Sequence, residues 1–219
     1  MNTVQTVAII GNGPSNHIPN ITTYTDEVDV WIGADGGVLT LIENGITPDY
    51  AIGDFDSIDI TDKEKIHNKA QHVLTYPTDK DETDLELAID KAIQLRPKQI
   101  YLFGVTGGRI DHTLINIQLL SRIIQQNIQG IIVDKWNHIE LTNPGMHSID
   151  QTKRFPYISF VPVTEIVSNL TLSNFIYPLN NFELNYGSTR CISNKLAQTS
   201  GTFSYDSGSL LVIKSGDPS

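Results

Sequence analysis

HVLTYPTDKDETDLELAIDKAIQLRPKQIYLFGV, residues 72–105, carries a strand, a helix and a second strand in one run. HVLTY (72–76) and QIYLFGV (99–105) are short apolar runs of the kind that form buried strands. Between them, TDLELAIDKAIQL (83–95) opens on Thr83 with Glu86 three residues later, a capping box, and stops before Pro97. A strand–helix–strand unit of this length predicts two parallel strands with a helix crossing over them.

The same alternation extends in both directions. Upstream, TVAIIG (6–11), VDVWIG (28–33) and DYAIG (49–53) read as strands, and IIVD (131–134) follows downstream. GGVLTLIEN (36–44) reads as a helix closed by Gly45 with Pro48 soon after. DHTLINIQLLSRIIQQN (111–127) has Leu114, Ile117, Leu120 or Ser121, and Ile124 on one stripe. Residues 1–137 are therefore expected to form an α/β domain around a parallel sheet. From about residue 138 no helical period survives. YISFVPV (157–163), NLTLSNF (169–175), FELNY (182–186), GTFSY (201–205) and SLLVIKS (209–215) are extended runs set apart by Gly, Asn, Pro and Ser. Residues 138–219 are expected to be all-β, a small antiparallel sandwich, with NPG (143–145) near the junction.

Composition limits the function classes. Of 219 residues, 39% are hydrophobic and 18% charged, an ordinary globular mix. No apolar run approaches the roughly 20 residues that cross a bilayer, and the opening MNTVQTVAIIGNGP has no basic region or small-residue cleavage site. The single cysteine, Cys191, forms no internal disulfide, and a cytoplasmic location is the expectation. The formal net charge is −10. Residues 1–135 hold 10 Lys and Arg against 19 Asp and Glu, a net of −9, which leaves −1 for the remainder. Such a balance disfavours nucleic-acid phosphate and suits a divalent-cation site, or plain solubility for dispersed carboxylates such as Glu43, Asp62 and Glu64.

The polar residues fall at the strand ends. GNGPS (11–15), ADGG (34–37), GDFDS (53–57), PTDKDETD (77–84) and TGGRIDH (106–112) follow the five successive strands. In an open parallel sheet, ligands bind beyond the carboxyl ends of the strands, so these loops predict a polar crevice on one edge. Asp54 and Asp56 flank Phe55, and in an extended segment both carboxylates would face one side while the Phe packs inward. Asp79, Asp81 and Asp84 lie at the mouth of the next strand. The six His (17, 67, 72, 112, 138, 147) have no metal-ligand spacing, so oxygen donors favour Mg2+ over zinc. Arg109, beside Gly107 and Gly108, is a candidate phosphate partner. Several of these residues also have plain structural readings: GNGP is a common turn, Asp35 or Asp111 can cap a helix, His112 can be a first-turn residue, and Asp81 or Asp84 can favour a helix dipole.

GDFDS (53–57), TDKDETDLELAI (78–89) and GVTGGRIDHTLINIQLL (104–120) together resemble, in order and spacing, the three signatures of the thiamine pyrophosphokinase family. GNGP and ADGG resemble its amino-terminal loops, and IYPL (176–179) and ISN (192–194) its carboxy-terminal ones. The resemblance implies a nucleotide-binding α/β domain followed by a β-sandwich, and transfer of pyrophosphate from ATP to the hydroxyl of thiamine. It also implies a homodimer with thiamine where the subunits meet. Carried over by position, Asp54, Asp56 and Asp81 resemble the Mg2+ and pyrophosphate site, with Arg109 and Asp111 completing the expected catalytic set. The ATP-binding set is Gly11, Asn12, Gly13, Asp35, Gly36, Thr83, Asp84 and Arg109. The thiamine-binding set is Asp81, Asp111, His112, Ser193 and Asn194. Trp31, Trp136 or a tyrosine of the second domain would stack on the cationic thiazolium, and Asp81 or Asp111 would accept the hydroxyl proton. The chain departs from the pattern at Cys191–Lys195, where many relatives read Gly-x-Ser-Asn-Glu, and at Asn174, where Gly is common. A metal-dependent phosphoesterase and a non-catalytic nucleotide or thiamine sensor are the alternative readings.

Overall fold

A computed structural model describes residues 4–217. They fall into two compact units, Met1–Lys135 and Trp136–Ser219. Among the described residues, no helix is long and apolar enough to cross a membrane.

The first unit contains six strands: β1 (Thr6–Ile10), β2 (Val30–Ala34), β3 (Tyr50–Gly53), β4 (His72–Thr75), β5 (Gln99–Phe103) and β6 (Gln129–Val133). All pair in parallel, in the order β4-β3-β2-β1-β5-β6. The chain runs outward from β1 to β4, then returns to place β5 on the other side of β1. The switch point of the sheet therefore lies between β1 and β5, where Ile10 pairs with Phe103. Val7, Ala8, Ile9 and Ile10 have no exposed surface, as a central parallel strand covered on both faces requires.

Among the described residues, five α-helices belong to this unit: α1 (Gly37–Glu43), α2 (Ile60–Lys69), α3 (Asp84–Gln94), α4 (Ile110–Gln118) and α5 (Leu120–Ile124). Thr83 caps α3 by accepting the Glu86 amide at 3.2 Å, so one half of the capping box forms. Leu85, Ala88, Ile89 and Ala92 give α3 its buried stripe. The helix α2 was not foreseen. Its sequence, ITDKEKIHNK, buries Ile66 alone, and Asp59 starts it by accepting the Asp62 amide at 2.8 Å. The single helix expected over 111–127 is broken at Leu119 into α4 and α5, and its stripe is only half covered: Leu120 is buried, whereas Leu114 is 55% exposed.

The second unit is antiparallel throughout. One layer is β7 (Asn137–Thr142), β13 (Leu210–Ser215) and β9 (Tyr157–Pro162), in that order. The other is β11 (Leu179–Asn185), β10 (Ile166–Ser173), β12 (Ser200–Tyr205) and β8 (Gly145–Asp150). Phe160 of β9 and Val212 of β13 share one buried cluster with Leu170 of β10, Leu184 of β11 and Phe203 of β12, so the layers close over a common core. The Phe160 ring meets those of Phe175 and Phe203 edge-on. The NPG stretch does not mark a junction; it turns the chain between β7 and β8 inside this unit. Those two strands lie upstream of the first run expected from sequence.

Candidate active site

The crevice begins with close backbone contact at the switch point. The Gly11 amide donates to the Phe103 carbonyl at 2.8 Å and the Gly13 amide to the Gly104 carbonyl at 2.7 Å. Gly104 has φ +64, and a Cβ there would lie 2.7 Å from the Gly11 carbonyl oxygen. Glycine is needed on both loops because the two backbones touch. Where they separate, a crevice of about 560 Å³ opens, lined by Gly11–Pro14, Asp35, Thr83, Asp84, Gly104–Thr106, Arg109, His112, Thr113 and Asn116. A cleft of this size at a switch point is the usual place for a nucleotide.

At one end the acidic loops converge. Asp35 follows β2 with φ +48; its Oδ2 accepts from Asn12 Nδ2 at 2.9 Å, while its buried Oδ1 has no partner among the described residues. Asp84 is the first residue of α3, and Asp54 directly follows β3. One oxygen from each of Asp35, Asp54 and Asp84 lies within 4.8 Å of the other two. Lys80 is the neighbouring cation, with Nζ 3.1 Å from Asp84 Oδ1 and 3.8 Å from Asp54 Oδ2. Burial is the largest influence on Asp84 and pushes its carboxyl above the usual range; Lys80 pulls it down, and Asp54 and Asp35 push it up. Three half-buried carboxylates with an unfilled acceptor and no His or Cys form a hard-oxygen donor set, which fits Mg2+.

The Asp54–Phe55–Asp56 segment is not extended. Phe55 takes φ +56, and the Asp56 amide donates to Asp54 Oδ1 at 3.0 Å, forming a tight turn. Phe55 does pack inward as expected, against Val38 and Ile66, which anchors the turn to α1 and α2. Asp56 faces the next loop, where its Oδ2 accepts from the Thr78 hydroxyl at 2.5 Å. Asp81 is exposed on that loop. Thus Asp54 joins Asp35 and Asp84, while Asp56 and Asp81 stand outside that group.

At the other end, Arg109 and Asp111 form a fork-like pair: Nε to Oδ1 at 3.1 Å and Nη2 to Oδ2 at 2.5 Å. Both are mostly exposed. The guanidinium, with the His112 amide at 2.9 Å, holds the Asp111 carboxyl at about 2. Asn116 donates to the Val105 carbonyl at 2.8 Å and ties α4 to the loop after β5. Thr106, on the same loop, is buried and donates to the buried Asp134 at 2.7 Å.

In the second unit, Ser193 and Asn194 lie near a hollow of about 280 Å³ bounded by Leu172, Tyr177–Leu179, Arg190–Ile192 and Asn194. The Asn194 side chain makes three hydrogen bonds: Oδ1 accepts from the Tyr177 and Lys195 amides, and Nδ2 donates to the Tyr177 carbonyl. It shapes the hollow by fixing Tyr177. Ser193 has φ +57, with its amide on the Ser159 hydroxyl at 2.9 Å. Asn174 has φ +64, a left-handed backbone that Asn tolerates better than most residues. Cys191 lies in the hollow's wall, where burial pushes its thiol up to about 11. Trp31 is buried in the first unit's core and is not available for stacking.

Sequence reasoning passed over Lys80, Thr113, Asn116 and Tyr177. Lys80 had a visible signal, a lone base inside TDKDETD. Thr113 and Asn116 lie within GVTGGRIDHTLINIQLL and Tyr177 within IYPL, but their individual contacts depend on which loops meet.

Two family profiles match the chain: "Thiamin pyrophosphokinase, catalytic domain" over residues 21–132 and "Thiamin pyrophosphokinase, vitamin B1 binding domain" over residues 146–210. The thiamine pyrophosphokinase of Bacillus subtilis (strain 168) is 46% identical over 214 residues, covering 98% of this chain and 100% of that protein. Its crystal structure superposes with a TM-score of 0.93 over the same shares. The thiamin pyrophosphokinase structure from Geobacillus thermodenitrificans is 40% identical, covers 98% of this chain and 99% of that one, and gives a TM-score of 0.89. Identity of this extent over both units, together with the carboxylate cluster at the switch-point crevice, places the chain in the thiamine pyrophosphokinase family.

Proposed function

We propose that this protein transfers the pyrophosphoryl group of ATP to the hydroxyl of thiamine, giving thiamine diphosphate and AMP. Family membership supports the reaction. The convergence of Asp35, Asp54 and Asp84 at one end of a crevice with Arg109 and His112 at the other is the observation that carries the site. In this reading ATP lies along the Gly11–Asn12–Gly13 loop and Gly36, with Thr83 and Asp84 at its phosphate end.

Mg2+ would be held by Asp54 with Asp35 and Asp84, and Asp56 and Asp81, expected as ligands from sequence, are not among the three. The chemistry Mg2+ supplies is neutralisation of phosphate-oxygen charge. The chain's own groups do the rest. The thiamine oxygen forms a bond to the β-phosphorus, the bond from that phosphorus to the bridging α,β-oxygen breaks, and AMP leaves with the electron pair. Arg109 turns from Asp111 to offset charge on the transferring group. The hydroxyl proton goes to Asp81 or to Asp111.

The residues proposed to contact thiamine are Asp81, Asp111, His112, Ser193 and Asn194. A homodimer is consistent with exposed apolar residues beside each set: Ile110, Leu114 and Ile115 on α4, and Ile176, Tyr177 and Ile192 on the second unit. Incubation with ATP and Mg2+, with thiamine present or omitted, tests the assignment. AMP release that requires both thiamine and Mg2+ supports it. Phosphate release without thiamine would indicate a phosphoesterase, and binding without turnover a sensor.

A further inference from the structure

We propose that Lys80 is a tethered counter-ion of the acidic cluster, a positioning residue that holds Asp54 and Asp84 before a divalent cation arrives and yields them to it. The proposal rests on the Mg2+ reading above. Lysine is among the most exposed residue types, yet this side chain is only 12% exposed although it stands on a loop. Its ammonium is 3.1 Å from Asp84 Oδ1 and 3.8 Å from Asp54 Oδ2, and it donates to the Pro77 carbonyl at 3.2 Å.

Charge explains the arrangement. Asp35, Asp54 and Asp84 bring three like charges within 4.8 Å, and such a group repels itself unless a cation sits beside it. Lys80 serves two of the three. Asp35 is steadied instead by Asn12 and keeps a buried oxygen without a partner among the described residues. A divalent cation held by all three carboxylates must therefore displace the ammonium from two of them. Lys80 and the metal compete for the same two carboxylates, and the lysine keeps those carboxylates arranged while the metal is away. A Lys80–Asp84 pair that merely braced the start of α3 would have no such coupling.

The test compares the full-length protein with Lys80→Met, which keeps the stem and removes the charge, and with Lys80→Arg, which keeps the charge. Lys80→Gln substitutes if the Met variant does not fold. Free Mn2+ is followed by electron paramagnetic resonance during titration without nucleotide, and melting is followed in EDTA. The Met variant is expected to melt below wild type in EDTA yet to bind Mn2+ roughly five-fold more tightly, the equivalent of about 1 kcal/mol of competition removed. The Arg variant should stay near wild type in both. Equal or weaker Mn2+ binding by the Met variant overturns the role of Lys80 and leaves the metal site standing. Absence of Mn2+ binding in both proteins overturns the metal site itself and the proposal with it.

Discussion

Replacing Asp54 by Asn should stabilise the metal-free protein while abolishing turnover. Asn is nearly isosteric, and its side-chain oxygen can still accept from the Asp56 amide, so the turn around Phe55 survives. The charge does not. Two carboxylate oxygens no more than 4.8 Å apart repel by at least roughly 3.5 kcal/mol at an effective dielectric of about 20, and Asp54 faces both Asp35 and Asp84. Against this relief stands the attraction lost to Lys80 at 3.8 Å, roughly 4 kcal/mol on the same basis. The difference favours the variant, and solvent screening at these partly exposed groups reduces it to about 1–2 kcal/mol. For a chain of this size that corresponds to a rise in Tm of about 3–6 °C in EDTA. With Mg2+ and ATP the order should reverse, because ligand binding stabilises only a protein that can bind. Differential scanning calorimetry in EDTA and in Mg-ATP, paired with a turnover assay, reads all three quantities. A variant that melts lower than wild type in EDTA, or turns over near-normally, would refute the electrostatic account of this cluster.

Other outcomes follow from single residues. Asn194→Ala removes three hydrogen bonds around the Tyr177 and Lys195 backbones and should cost about 2–4 kcal/mol in urea unfolding, with a raised KM for thiamine in what remains folded. His138 is half-buried near Lys214 and Arg154, and that burial above all lowers its pKa to about 4. The unfolded chain thus binds a proton first, so its contribution is complete above about pH 6.5 and is lost as pH falls towards 4, a loss on the order of 3 kcal/mol. His138→Gln should flatten the stability profile across that window in chemical denaturation. Cys191, with its thiol pushed up to about 11, should resist Ellman's reagent at pH 8 in the native protein and react at once in guanidinium.

The elements that sequence revealed best are those whose signals are local. Thr83, Glu86 and Pro97 delimit α3 because a cap and a helix breaker act within a few residues of themselves. β1 and β5 declare themselves by apolar content, since both are covered on two faces. The α2 helix escaped notice because residues 60–69 are polar around almost the whole circumference, with Ile66 alone buried. Alternation at Asp54 and Asp56 suggested an extended segment. It failed there because Phe55 adopts a left-handed backbone, which sequence periodicity cannot register for a residue other than Gly. Of the acidic residues, those at the crevice were all named in advance, but which three converge depends on β2 lying beside β3 and on α3 starting against both. That is a property of strand order, visible only in three dimensions.

Pyrophosphoryl transfer fixes the stoichiometry of the products. Purified protein incubated with ATP, Mg2+ and thiamine should yield AMP and thiamine diphosphate in equal amounts by chromatography, with both products lost when EDTA is added. Thiamine monophosphate with ADP would contradict attack at the β-phosphorus, and AMP formed without any thiamine diphosphate would contradict transfer altogether.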